Sequence, residues 1–347
     1  MPAYTRPITM RAYSLERPEL LRDHLARQCQ VFELRANGQG THTWQQACDQ
    51  DPHPFSPPAD PPGCSAKSFF FPERELLFRF DGGAFYSELP AVRPQVLFGL
   101  PACDLQAIAY QDRFFVADPY YQARREATLL VGVDCVHSCR HGSCSLFGCG
   151  PQAQAGTADL VLVPLQGMAT SCLLVTSLAG ERALCGLELE IMESDWTHER
   201  ALAGEQVMCE QMNTDAIIEG IAAINAGWVE QSTWDELGQR CLNCTGCTSV
   251  CPTCSCFTAV DIPADGSGIA HVRAWASCLD EGFQREAGGR NPSASAWQRV
   301  QRFWFHKLGE AFRARMGGYG CVGCGRCDRQ CPDGMGLMGV MHRLEQP

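Results

Sequence analysis

Eight cysteines near the end of the chain fall into two runs of one spacing. The first reads Cys241-Leu-Asn-Cys244-Thr-Gly-Cys247-Thr-Ser-Val-Cys251-Pro252 and the second Cys321-Val-Gly-Cys324-Gly-Arg-Cys327-Asp-Arg-Gln-Cys331-Pro332. Both are C-x2-C-x2-C-x3-C-P, a spacing in which three thiolates take three corners of a [4Fe–4S] cubane while the fourth cysteine ligates the cluster of the other run. Two copies therefore predict two [4Fe–4S] clusters, one on Cys241, Cys244, Cys247 and Cys331, the other on Cys321, Cys324, Cys327 and Cys251. Gly246, Gly323 and Gly325 suit the motif, because the backbone has to bend past the cluster and offer N–H groups to sulfur without a Cβ in the way. Zinc also takes four thiolates, but zinc sites usually pair two C-x-x-C knuckles rather than three evenly spaced cysteines and a fourth before proline. Clusters of this kind exchange one electron at a time and bind no organic substrate, so no catalytic side chain is expected here and the substrate chemistry is assigned to a different polypeptide of the complex.

The chain holds 22 cysteines in 347 residues, so fourteen lie outside the runs. A reducing cytosol tolerates such density only where thiolates hold metal or do redox work, and a secreted disulfide scaffold would be small and carry an export signal. Cys254 and Cys256, just after the first run, and Cys278 in Trp275-Ala-Ser-Cys278 read as small buried residues lining the clusters. Cys135, Cys139, Cys144 and Cys149 lie at irregular gaps in a Gly-rich loop and match no ligand spacing, with a further metal or a redox thiol as the alternative. His137, His141 and His306 read as surface or packing residues. There is no G-x-G-x-x-G after a strand, no G-x-x-x-x-G-K-[ST] and no C-x-x-C-H, hence no recognisable nucleotide site or haem attachment.

The elements that position these cysteines divide by character. The length allows two domains. Short Leu, Val and Phe runs at Glu75–Phe80, Val96–Gly99, Thr128–Val133 and Leu160–Val163, separated by turn residues and helix-like pieces, predict an α/β domain over 1–205 that docks partners. A helix is expected at Pro18–Phe32, and the proline-rich segment Asp51–Gly63 reads as a surface loop. From 206 to 347 the pattern turns helical and predicts a ferredoxin-like domain carrying both clusters. Ala216–Val229 is one helix, and Thr233 to Glu236 reads as the capping box of the helix entering the first run. Ala296–Met316 reads as a single helix ended by Gly317-Gly318, with Trp297, Val300, Trp304, Leu308 and Phe312 as a stripe taken for core packing rather than cofactor contact. The net charge of −11 argues against nucleic acid, and no apolar stretch approaches bilayer length, so no transmembrane segment and a cytoplasmic location are expected.

With these motifs in hand, most of the chain resembles the family of iron–sulfur subunits that includes the beta subunit of cytosolic sulfhydrogenases, which are NADP-linked nickel–iron hydrogenases, and the iron–sulfur relay subunit of anaerobic sulfite reductases. The resemblance rests on Phe98-Gly-Leu-Pro-Ala-Cys103-Asp104-Leu, Asp118-Pro-Tyr-Tyr121 with Arg124-Arg125-Glu126, Gly132-Val-Asp-Cys135, Cys251-Pro-Thr-Cys254-Ser-Cys256-Phe, Trp275-Ala-Ser-Cys278, His306-Lys307 and the second run. It implies two [4Fe–4S] clusters and a relay between a flavin subunit that handles NAD(P)H and a hydrogenase or reductase catalytic subunit. The hydrogenase branch is preferred and the sulfite reductase branch is the alternative. One departure stands out: relatives tend to show Cys-aromatic-Cys after the middle strand, where this chain has Cys144-Ser145-Leu146-Phe147 and an added Cys149. Two rivals of another class are a zinc-stabilised scaffold and a thiol–disulfide reductase working through Cys135 and Cys149.

Overall fold

The computed structural model describes residues 7–36, 42–48, 53–87, 89–165, 170–193, 195–211, 214–264 and 268–345. Asp51 and Pro52 of the proline-rich segment lie outside the described residues. In chain order the strands are β1 (Pro7–Leu15), β2 (Gln30–Ala36), β3 (His42–Ala47), β4 (Arg74–Asp81), β5 (Ala84–Tyr86) and β6 (Gln95–Pro101). They continue as β7 (Thr128–Val133), β8 (Leu160–Val163), β9 (Ser171–Ser177), β10 (Glu190–Ile191), β11 (Phe257–Pro263) and β12 (Ile269–Trp275). The helices of the first half are α1 (Pro18–Ala26), α2 (Lys67–Phe70), α3 (Ala102–Phe114), α4 (Pro119–Glu126) and α5 (Leu178–Ala183). Then follow α6 (Trp196–Glu210), α7 (Thr214–Ala226), α8 (Gln231–Arg240), α9 (Gly246–Val250), α10 (Ala296–Leu308), α11 (Glu310–Met316), α12 (Arg326–Gln330) and α13 (Leu337–Glu345).

Eight strands form one sheet in the order β10-β1-β9-β8-β7-β6-β2-β3, with β2, β6, β7 and β8 mutually parallel and antiparallel strands on either flank. The parallel strands are near-continuous apolar runs because both faces are covered. Leu97, Leu100 and Leu130 pack on one side with Leu105, Ile108 and Tyr121, while Val96, Phe98 and Val131 pack on the other with Leu21 and Leu25 of α1. The four expected strands are present, but the expected helix at Pro18–Phe32 stops at Ala26. Val31, which helical spacing had placed on that helix, instead lies opposite Val96 in β2, where a β-branched side chain fits the pleat.

A second, antiparallel sheet has the order β11-β12-β4-β5. Two of its strands precede residue 205 and two follow it, so the later half is helical around a hairpin that completes a sheet begun by the earlier half. The buried Arg273 of β12 pairs with Glu75 of β4 and with Asp118, whose other oxygen caps α4 by accepting from the Tyr121 N–H at 2.9 Å. Arg124 also reaches Glu75. The Asp118-to-Arg124 segment is therefore the ion-pair joint between sheet and helix.

The helical core gathers Ile217 and Ile224 of α7, Trp234 and Leu237 of α8, Val300, Trp304 and Leu308 of α10, and Val340 and Met341 of α13. Helix α8 starts two residues before the expected capping box: Glu230 is its N-cap, and Thr233 lies inside it. The long helix expected over Ala296–Met316 is broken at Gly309, whose ψ of 134° is extended. Asn225 of α7 fills the break, donating from Nδ2 to the Leu308 carbonyl at 3.0 Å and accepting at Oδ1 from the Glu310 N–H at 2.8 Å. These are the orphan groups that a helix end leaves behind. Glycine at the junction lowers the cost of leaving the helix.

Candidate metal centres

The two cysteine runs have one backbone shape. In each, the residue two after the first cysteine and the residue after the second cysteine are left-handed: Asn243 (φ 51°) and Thr245 (φ 61°) in the first run, Gly323 (φ 65°) and Gly325 (φ 69°) in the second. A short helix follows, α9 carrying Cys247 and α12 carrying Cys327. Gly246, expected to supply a bend, is the first residue of α9, and the bend belongs to Thr245. Glycine is obligatory only in the second run. A Cβ on Gly323 would lie 2.6 Å from the Ser143 carbonyl group and one on Gly325 would lie 2.5 Å from the His141 carbonyl oxygen, because the 135–150 loop packs onto those turns. The first run carries two side chains in the left-handed region instead.

Cys241, Cys244, Cys247 and Cys331 line one cavity, walled by Val300, Phe303 and Trp304 of α10. The helix stripe expected to pack the core thus also walls this site. Burial, then the neighbouring thiols Cys241 and Cys251, push Cys247 up to about 12. Backbone N–H groups aim at these sulfurs, Met335 at Cys331 Sγ (3.2 Å) and Asn243 at Cys241. Thiols that are neutral when free, gathered by apolar walls and met by N–H donors, fit a group that displaces their protons. Among the described residues no three Cys, His, Asp or Glu group as the ligands of a single metal ion.

Cys321, Cys324 and Cys251 form the second group, each raising the pKa of at least one other; Cys327 feels Cys321 and Cys324. The Gly323 N–H donates to Cys321 Sγ at 3.4 Å. Cys251 is held well below the ordinary thiol range, first by a hydrogen bond from the Cys254 thiol and then, against burial, by Lys307, whose Nζ stands 3.3 Å from its Sγ and donates to Thr253 Oγ1 at 2.8 Å.

Residues 240–335 match the family described as the 4Fe-4S dicluster domain. This segment is similar to 4Fe–4S dicluster domains. Among curated proteins the chain is similar to sulfhydrogenase 2 subunit beta of Pyrococcus furiosus, 27% identical over 273 residues that cover 77% of this chain and 78% of that one. The resemblance read from the cysteine runs and the flanking motifs is thus upheld by both comparisons. No solved structure matches the chain.

The α/β half bolts the dicluster domain from one side. Arg326 of α12 makes a bidentate pair with Asp104 of α3 at 2.7 and 2.8 Å, both side chains 1% exposed, and donates from Nε to the Pro62 carbonyl at 2.7 Å. Arg329 donates to the Pro61 carbonyl. The proline-rich segment is therefore no plain surface loop: its end, with Pro61 and Pro62 buried, caps the second run. Gln111, two helical turns beyond Asp104 on the same face of α3, donates to the Pro252 carbonyl at 3.0 Å. Lys67 of α2, buried and lying 3.8 Å from the centre of the Trp275 ring, donates to the Thr248 and Ser249 carbonyls at the end of α9. Sequence reasoning missed Lys67, Gln111 and Lys307 as site residues. Asp104, Lys307 and Arg326 stood inside motifs that carried the resemblance, which was their one signal.

Cys254 and Cys278 are packed as expected, but not inertly. Cys254 bonds Cys251, and Cys278 bonds Cys256, which that bond holds down to about 6. His306 stacks edge-on with Phe312 at 4.8 Å, and burial with Lys307 lowers it to about 4, so it is a packing residue. Among the described residues no helix is long and apolar enough to cross a membrane.

Proposed function

We propose that this chain is the iron–sulfur electron-transfer subunit of a multi-subunit oxidoreductase, in which Cys241, Cys244, Cys247 and Cys331 hold one [4Fe–4S] cluster and Cys321, Cys324, Cys327 and Cys251 hold the other. When bound, each cluster supplies a one-electron redox couple. The observation that carries the reading is that cysteines of both runs meet at one cavity, as cross-ligation requires. Met335, Gly323 and Asn243 orient the sulfurs through N–H bonds, while α10 excludes water. Arg326 and Lys307 place positive charge at the second run. Cys244 and the apolar Leu242, 67% exposed, leave the first run open to the surface, where exchange with a partner would be shortest. By its likeness to a sulfhydrogenase beta subunit, the chain would pass electrons between a flavin subunit handling NAD(P)H and a hydrogenase or reductase catalytic subunit.

The test is anaerobic purification from the native host with iron, sulfide and zinc analysis, reduced-state electron paramagnetic resonance and identification of every co-purifying chain. Interacting cluster signals, lost in part on Cys327→Ser together with electron flow, support the relay. A nickel–iron partner selects the hydrogenase branch and a sirohaem partner the sulfite reductase branch. A colourless zinc protein, or full activity with a cluster lost, refutes it.

A further inference from the structure

Four cysteines whose gaps match no ligand spacing leave the carboxyl edge of the parallel sheet together, where open α/β sheets place their sites. Cys135 follows β7, and Cys139 and Cys144 follow within the loop that closes onto the second cysteine run. The Ser143 N–H donates to the Gly323 carbonyl at 2.8 Å, and Gly325 abuts His141. Cys135 feels both Cys139 and Cys144, and Cys139 feels Cys144 and Cys324, so the three sulfurs converge beside the second run.

The backbone around them is shaped for sulfur. A Cβ on Gly150 would stand 2.9 Å from Cys144 Sγ, and one on Gly142 would stand 3.0 Å from Cys139 Cβ, so the chain wraps closely around these side chains. Donors point at two of the sulfurs. The Ala102 N–H, in the first turn of the thirteen-residue helix α3, meets Cys135, while Gln211 Nε2 meets Cys144 Sγ at 3.3 Å and the Ser145 N–H joins it. Donors of that number serve a thiolate, the form in which cysteine binds metal. Independently, Ser143 is fully buried and its Oγ has no hydrogen-bond partner among the described residues, an orphan at the seam between loop and second run. A buried hydroxyl without an acceptor costs on the order of a hydrogen bond, and a cluster sulfur or thiolate would supply one. Cys149 packs beside Cys144 and Cys324 as well, but its thiol donates to the Phe147 carbonyl at 3.2 Å and it is left out of the set.

We propose that Cys135, Cys139 and Cys144 hold a third iron–sulfur cluster beside the second cysteine run, extending the row of redox centres into the α/β half. The word third rests on the two clusters proposed above, but the site does not.

The experiment is iron and sulfide counting with electron paramagnetic resonance on the full-length chain produced anaerobically without other subunits, for wild type, Cys135→Ala/Cys144→Ala and, separately, Cys241→Ala. The expectation is three or four irons above the eight or so of two cubanes, with the excess and one set of signals lost in the loop variant alone. A signal in the oxidised protein would mark a three-iron cluster, and its absence with four extra irons a four-iron one; both support the site. About eight irons in wild type, unchanged by the loop variant, overturn it, as does zinc in place of the excess iron. If Cys241→Ala removes no iron while the loop variant does, the dicluster assignment fails and this one stands. Should the loop variant not accumulate, the wild-type count decides alone.

Discussion

Asp104→Ala strips the counter-charge from Arg326, which sits inside the second cysteine run with its side chain 1% exposed. Two charge-assisted bonds of 2.7 and 2.8 Å are lost. At roughly 1.5–3 kcal/mol each they sum to about 3–6 kcal/mol, close to the roughly 3–5 kcal/mol that an uncompensated buried charge costs when its partner is removed. Set against a typical domain stability of about 5–15 kcal/mol, that loss opens the joint between α3 and α12. The expected outcome is a large fall in the thermal midpoint, with bleaching of the cluster absorbance preceding loss of helical circular dichroism. The companion is Asp104→Leu/Arg326→Met, which replaces the pair by apolar side chains and leaves only the Pro62 carbonyl without its donor. It should regain most of the loss, since buried ion pairs replaced as a unit are often neutral. An Asp104→Ala protein within about 1 kcal/mol of wild type would refute the argument, because the pair would then behave as a solvated one.

Lys307→Met removes a buried cation 3.3 Å from Cys251 Sγ; a redox titration should show one potential lowered by on the order of 50–100 mV, and an unmoved potential would count against Cys251 as a ligand. Gly323→Ala adds left-handed strain and a contact with the Ser143 carbonyl, so it should cost about 2–3 kcal/mol in thermal denaturation. Asn243→Gly at the matching position of the first run should change stability by less than about 1 kcal/mol; equal effects would mean the two turns are packed alike. Asp159 is buried, and burial raises its carboxyl above the ordinary value, although it accepts from the Leu130 N–H at 2.9 Å and from Ser177 Oγ. A folded value above the unfolded one means that its contribution is fully present below about pH 4 and is lost as pH rises through the folded value. Asp159→Asn should abolish that decline, so wild type loses denaturant resistance relative to the variant above about pH 4; parallel profiles would exclude Asp159 as the cause.

The two cysteine runs are legible because their spacing is local: gaps of two and three residues are a property of one short run, and β8 at Leu160–Val163 can be read for the same reason. What the sequence hid lies in pairings across great separations. The break at Gly309 depends on Asn225, eighty-five residues before Glu310, so helical periodicity alone ran straight through it. The hairpin Phe257–Trp275 falls in the half expected to be helical, and its partner Arg74–Asp81 lies in the other half. The irregular gaps of Cys135, Cys139 and Cys144 are set by what the loop packs against, the turns at Gly323 and Gly325, and not by a ligand motif of their own.

Two runs of identical spacing are thus placed in unlike surroundings, and the difference comes from the α/β half. The first run is open: Cys244 is exposed, Leu242 more so, and its left-handed positions bear Asn and Thr where the second run requires glycine. The second is enclosed by the 135–150 loop, capped by Pro61 and Pro62, and flanked by the cations of Lys307 and Arg326. Exposure, hydrogen bonds to sulfur and nearby charge are the levers that separate the potentials of chemically equal clusters. Burial by itself would disfavour an added electron at the second run, and the buried Lys307 beside Cys251 would oppose that effect, whereas the charge of Arg326 is balanced by Asp104. The α/β half, through Asp104, thus fixes the second run in place and sets the surroundings that a cluster there would have.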